Sequence, residues 1–293
     1  MTAGEGEQGT EPPFRVIPAA GRAISPLVFA SPHSGRHYPA SAGFDPALSG
    51  ASIRSAEDAL VDRLIESAPA RGVPLLLATH GRAWLDLNRD PADLDPALIA
   101  DLPPEAAGGP RAVAGYGVVP RLTGDGRPLY DRPLGRAEVE ARLAAGHAPY
   151  HAELARLMQA AHAAHGMAIL IDWHSMPGPG LNRPARRPSP VGPQMVLGDR
   201  HGSACATALT RRVAALLGGE GLRVALNHPY AGGWTTQTWG RPAEGFHALQ
   251  IEISRALYLD EARIEPGPGW SRCQGLVERL IDSLVREAPG LVS

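Results

Sequence analysis

Polar side chains stand at or just beyond the ends of four short apolar runs: His33 in SPHSG, Asn88 and Arg89 in WLDLNRDP, His174 in IDWHSM and Glu252 in LQIEIS. Two imidazoles, a carboxylate and a guanidinium gathered at one place are the parts of metal-assisted hydrolysis. A catalytic zinc takes three protein ligands, usually histidines plus a carboxylate, and keeps a fourth position for water. It lowers the pKa of that water to about 7 and polarises the scissile carbonyl. His33 and His174 supply two nitrogens. Glu252 suits the carboxylate that takes the water's proton and hands it to the leaving amine, and Arg89 can grip a substrate carboxylate with both prongs of its fork. The third ligand stays open. Glu57 and Asp58 both stand where a helix is expected to begin, and spacing does not choose between them. His37, four residues after His33, lies between Gly35 and Pro39 in a segment unsuited to a helix. Asp172 precedes His174 by two residues. If the strand continues, the two share a face, and the carboxylate either orients the imidazole or holds the turn.

These positions need a scaffold that brings strand ends together. Strands are expected over 25–31, 74–79, 83–87, 167–172, 194–197, 222–226 and 247–253, as compact apolar runs. Helical spacing marks 52–70, 134–165 as two helices broken near 146–149, 204–217 closed by Gly218 and Gly219, and 270–286. Segments 90–133 and 177–193 are rich in proline and glycine and read as long loops. Alternating strands and helices imply an α/β fold, a mostly parallel or mixed sheet covered by helices on both faces. Ligands of such sheets bind beyond the carboxyl ends of the strands. Residues 1–13 read as a disordered tail, and 14–293 as one domain.

Composition removes several classes of function. The 293 residues carry 28 basic and 30 acidic side chains for a net charge of −2, with no long basic run. Neither nucleic acid nor an anionic membrane surface is indicated as a partner. All the basic residues are arginine, which excludes a Schiff-base lysine and a Walker-type phosphate lysine. Two cysteines, Cys205 and Cys273, are too few for a disulfide framework or a cysteine-rich zinc site. No apolar run approaches the roughly 18 residues of a membrane span, and the N-terminal segment lacks the pattern of a signal peptide. A cytoplasmic protein is expected.

The motifs SPHSG, EDALVD, DLNRDP, APYHAEL, IDWHSM, VLGD, NHPYAGGW and LQIEISRALYLDE occur in this order. Together they resemble the N-formylglutamate amidohydrolases over roughly residues 26–262. That family is similar in turn to zinc carboxypeptidases and aspartoacylases, which share a phosphorylase/hydrolase-like α/β fold. The resemblance implies one zinc ion on His33, His174 and Asp58, with Glu252 as general base and acid. It implies that Asn88 and Arg89, with Arg82 as a helper, grip a substrate carboxylate, and that NHPYAGGWTTQTWG lines the pocket. Ala59 departs from the bulky residue expected after the aspartate. The implied reaction is N-formyl-L-glutamate and water to L-glutamate and formate, a step of amino-acid catabolism. The alternatives are another N-acyl amino acid or short peptide, or a binding relative without catalysis.

Overall fold

The computed structural model of the chain describes residues 11–21, 24–106, 108–178 and 192–292. Its main sheet has seven strands: β1 (Phe14–Ile17), β2 (Leu27–Ser31), β3 (Leu75–Ala78), β4 (Ala168–Met176), β5 (Met195–Gly198), β6 (Val224–Leu226) and β7 (Phe246–Ser254), in the spatial order β1-β3-β2-β4-β7-β5-β6. The centre is parallel, β3 to β2 to β4 to β7, while β1 and β5 run antiparallel to β3 and β7. The sheet is therefore mixed. A two-stranded ribbon, β8 (Leu259–Asp260) with β9 (Glu265–Pro266), follows it.

The central strands read as unbroken apolar runs because both of their faces are covered. Leu27, Phe29, Ile169, Ile171, Trp173, Leu249, Ile251 and Ile253 point into one core layer. That layer is shared with the helices α2 (Val61–Leu64), α6 (Thr207–Gly219) and α8 (Trp270–Val292). Val28, Ala30, Ala168, Leu170 and Ala248 point the other way, into a layer built by α4 (Arg136–Arg142), α5 (Ala148–His165) and the segment 83–134. In that second layer, buried Arg142 donates to the Tyr130 hydroxyl at 2.8 Å, to the carbonyls of Ala42 and Trp84, and to Glu138 at 2.7 Å. A buried guanidinium is tolerable only when its donors are satisfied in this way. Among the described residues no helix is long and apolar enough to cross a membrane.

Several elements differ from the sequence expectation. The helix expected over 52–70 is two short pieces, α1 (Gly50–Arg54), whose first turn is capped by Ser49, and α2. Leu60 takes a left-handed conformation between them, and the Asp58 N–H donates to the His33 carbonyl at 2.9 Å. The break turns Asp58 toward His33 where a continuous helix would carry it past. The run 83–87 is not a strand. Its leucines are buried, but the Asp86 N–H pairs with the Val118 carbonyl at 2.7 Å, so it docks on the 90–133 excursion rather than the sheet. The excursion itself has little regular structure beyond α3 (Pro110–Val113) and a 3-10 turn at Pro104–Ala106. Helices α4 and α5 are joined without a break by a π turn, Leu143–His147. Strand β1 and the short helix α7 (Trp234–Trp239) carry too few residues for their periodicity to register. Most of the loop expected over 177–193 lies outside the described residues, as do residues 1–10 of the expected tail.

Candidate active site

The site forms at the carboxyl ends of β2, β4 and β7. Strand β4 does not stop at Asp172 but runs on to Met176, and side chains alternate along it. Asp172 and His174 therefore fall on the face of Ala168 and Leu170. The same alternation on β7 puts Gln250 and Glu252 on the face of Ala248. In the parallel pairing His174 stands opposite Glu252 and Asp172 opposite Gln250. Four polar side chains thus emerge from two adjacent strands in a block, and all four are buried. His33 enters from the turn after β2, and Asp58 from the turn before α2.

His33 Nδ1, His174 Nδ1 and one oxygen of Asp58 form a triangle with edges of 3.1, 3.4 and 2.9 Å. The outward nitrogens are engaged by carboxylates. His33 Nε2 lies 2.6 Å from Asp86 Oδ1, and His174 Nε2 lies 3.0 Å from Asp172 Oδ2. With Nε2–H donating to its carboxylate in each ring, the Nδ1 atoms of both imidazoles turn inward toward an oxygen of Asp58. Three acceptors converging on one point require a cation or a proton among them. Ligands about 2.0–2.1 Å from a tetrahedral zinc stand about 3.3 Å apart, which the triangle matches. The three residues, each buried, are a group that could hold a metal ion. Carboxylates behind both histidines are the outer partners that such ligands usually have.

Of the two carboxylates at the third position, only Asp58 reaches the cluster. Glu57 is held by Arg54 through paired contacts of 3.0 Å and by the Tyr38 hydroxyl at 2.9 Å. His37 also stays away, stacked edge-on against His80. The second oxygen of Asp58 accepts from Ser175 Oγ at 3.0 Å, and Arg255 Nη2 lies 3.5 Å from it. Burial opposes ionisation of Asp58, but His174 and His33 outweigh it and hold the carboxyl well below the usual range. Asp86 is likewise kept ionised against its burial, chiefly by Arg82. Glu252 is different. Burial, reinforced by the charge of Asp58, pushes it up to about 7, although His174, Gln250 and Arg82 pull the other way. Gln250 Nε2 donates to it at 2.7 Å.

Arg82 and Arg89 both line the cleft beside the cluster. Arg82 is joined to Asp86 at 2.6 Å, whereas Arg89 is anchored by carbonyls, through Nε to Tyr116 at 3.0 Å and through Nη1 to Asn88 at 3.4 Å, and lies 3.9 Å from Asp86. Asn88 is tied at both ends of its amide, accepting from the Thr235 N–H at 2.8 Å and donating to Asp172 at 3.2 Å. Gly233 packs so closely on this amide that a Cβ would come within 2.5–2.7 Å of it. Tyr230, Gly232 and Gly233 form one wall of the cleft. Two further histidines brace the Asn88–Arg89 segment from behind. The Nε2 of His151 pairs with the Leu87 carbonyl at 2.8 Å and that of His147 with the Arg89 carbonyl at 2.9 Å. The π turn that carries His147 lies directly before α5, a distortion often met near functional sites.

The residues missed by sequence reasoning are Asp86, Arg255, Ser175 and Gln250. Asp86 opens the DLNRDP motif, but its role follows from a contact across 53 residues that spacing cannot show.

A buried His₂–Asp cluster beside a carboxylate of raised pKa, at the carboxyl edge of a helix-covered mixed sheet, is a site equipped for hydrolysis. The family model described as N-formylglutamate amidohydrolase matches residues 25–259, and the chain belongs to that family. It is 30% identical over 244 residues to the N-formylglutamate deformylase of Pseudomonas aeruginosa, covering 80% of this chain and 83% of that protein. Identity to the enzyme of the same name from Pseudomonas putida is 27% over 239 residues, 80% of this chain and 82% of that one. The crystal structure of an N-formylglutamate amidohydrolase from Ralstonia eutropha JMP134 superposes with a TM-score of 0.86 at 36% identity, covering 94% of this chain and 97% of that one.

Proposed function

We propose that residues 14–293 form one catalytic domain that hydrolyses N-formyl-L-glutamate to L-glutamate and formate, with one zinc ion held by His33, Asp58 and His174. The observation that carries this reading is the inward triangle of three acceptors with Glu252 in register on the adjacent strand. Family membership and the names of the relatives support the substrate. Zinc bound there would supply Lewis acidity, making a water acidic near neutral pH and polarising the formyl carbonyl.

The chain's own groups do the rest. Glu252, raised toward neutrality, takes the proton of the attacking water as the oxygen joins the formyl carbon, and returns it to the amide nitrogen as the C–N bond breaks. The products are formate and the free amine of glutamate. Arg89 holds the α-carboxylate; its guanidinium has carbonyl anchors and a long contact to Asp86, so much of its charge remains for a ligand. Asn88 beside it fixes Arg89 and the glycine wall, and Arg82 keeps Asp86 ionised behind His33. The two cysteines are buried and unpaired, which suits the cytoplasm.

The test is formate release from N-formyl-L-glutamate by purified protein, with zinc supplied and again after chelation. Release that disappears with the metal and returns on its addition is expected. No release with zinc demonstrably bound would overturn the substrate assignment. Tight glutamate binding without turnover at any metal loading would make the protein a binding relative.

A further inference from the structure

Four arginines line the cleft, Arg82, Arg89, Arg111 and Arg255, against the carboxylates Asp58, Asp86 and Glu252. Arg82 is spent on Asp86, and Arg255 on Asp58 and Ser175. Arg89 serves one substrate carboxylate in the reading above. Arg111 has no carboxylate within ion-pair reach among the described residues, and it is exposed at the cleft rim.

Its placement is built rather than incidental. Arg111 lies in α3, inside the excursion, and its carbonyl accepts from the Tyr116 N–H at 2.8 Å. The Tyr116 carbonyl in turn accepts from Arg89 Nε at 3.0 Å. One turn of chain therefore sets both guanidinium groups on the same rim, close enough that Arg111 depresses Arg89 along with the larger effects of burial and Arg82. The turn is pinned underneath. Asp93 accepts from the Gly109 N–H at 2.9 Å, and its carbonyl accepts from the Val118 N–H at 2.9 Å. Gly108 and Gly117 approach Asp93 so closely that a Cβ would fall 2.4–2.5 Å from its backbone.

We propose that Arg111 is a specificity-determining residue that binds the second, side-chain carboxylate of the substrate. A dianionic amino-acid derivative would be read at two points, Arg89 for the α-carboxylate and Arg111 for the acidic side chain, while the amide lies at the His33–Asp58–His174 cluster. The inference rests on the proposed function for its substrate class. It makes selectivity a property of the excursion and separates it from the residues of the sheet.

The experiment compares the zinc-loaded wild type with Arg111→Ala and with a control, Arg200→Ala. Arg200 borders an adjoining hollow with Arg111 but not the cleft. Steady-state kinetics are taken on N-formyl-L-glutamate and N-formyl-L-glutamine, which differ only in the side-chain charge. Binding of L-glutamate and L-glutamine is followed by calorimetry. Arg111→Ala should reduce the glutamate-over-glutamine preference by about 10- to 100-fold, the effect of a charge-assisted bond. The loss should appear in KM and in product affinity, with kcat nearly unchanged and the glutamine substrate little affected. Arg200→Ala should keep the preference. An Arg111→Ala enzyme that still prefers the dianion as strongly as wild type would overturn the proposal, as would equal losses on both substrates. Absence of turnover by the wild type would end the reading of the reaction only. The binding arm then decides on its own: an Arg111-dependent preference for glutamate sustains the assignment, and its absence ends it.

Discussion

Asp86 Oδ1 stands 2.6 Å from His33 Nε2, while its other oxygen takes the Arg82 guanidinium at 2.6 Å. The carboxylate fixes the tautomer of the imidazole, so that Nδ1 presents its lone pair to the cluster. Replacing it by asparagine keeps the size but removes the charge that Arg82 neutralises. Asp86→Asn should lower metal affinity by about 10- to 100-fold, the usual effect of losing an outer-sphere partner. Metal competition with a chromogenic chelator measures this, and unchanged affinity would show that Asp86 does not orient His33.

The proposed ligands should behave as a set. His33→Ala or His174→Ala each leaves two of three donors and should abolish stoichiometric metal binding, read by elemental analysis after dialysis. Full occupancy in both variants would refute the assignment.

Glu252 offers a kinetic and a thermodynamic test. Glu252→Gln should retain the metal and lose turnover by about 10²- to 10⁴-fold, the range of general-base catalysis; near-normal turnover would remove it from the mechanism. In metal-free protein the raised pKa also has a stability sign. The fold prefers Glu252 protonated, so its contribution is present below the ordinary glutamate range and is lost as pH rises through about 7. Relative to wild type, chelated Glu252→Gln should therefore be stabilised more at pH 8 than at pH 5, by at most on the order of 3 kcal/mol. Thermal melts of both proteins at the two pH values check it, and an equal difference at both would contradict the burial of an ionised carboxylate.

The glycine wall gives a steric test. Gly233→Ala would drive a methyl into the Asn88 amide, which cannot swing away without dropping Thr235 or Asp172. Activity should fall more than about 10-fold with a modest drop in melting temperature, since the displaced groups are those that position Arg89. A fully active variant would show that the segment tolerates a shift.

Much of this site could be read before any fold was known. His33, His174 and Glu252 end strands that advertise themselves as apolar runs, and a parallel sheet gathers its strand ends at one edge. What escaped was set by tertiary contact. The choice of Asp58 over Glu57 depends on the left-handed turn at Leu60, which interrupts a segment with good helical spacing. The 83–87 run looks like a strand because Leu85 and Leu87 are buried, yet its hydrogen bonds go to the excursion. The contacts that hold the Asn88 amide to Thr235 and Asp172 lie 147 and 84 residues away along the chain and leave no trace in its local spacing. Arg255 follows Glu252 by three residues, a spacing that invites an ion pair between them; it reaches Asp58 instead.

The register that sets His174 opposite Glu252 has an evolutionary and engineering corollary. Two neighbouring strands of a buried sheet cannot slide by one residue without turning every side chain over, so the reacting geometry is frozen against drift. Among the described residues, the excursion over 90–133 carries no strand of that sheet. Lineages could therefore retool which acyl amino acid they accept by rewriting that stretch while inheriting the reaction unchanged. Grafting the excursion of one relative onto the sheet of another is the corresponding route to a redesigned deacylase.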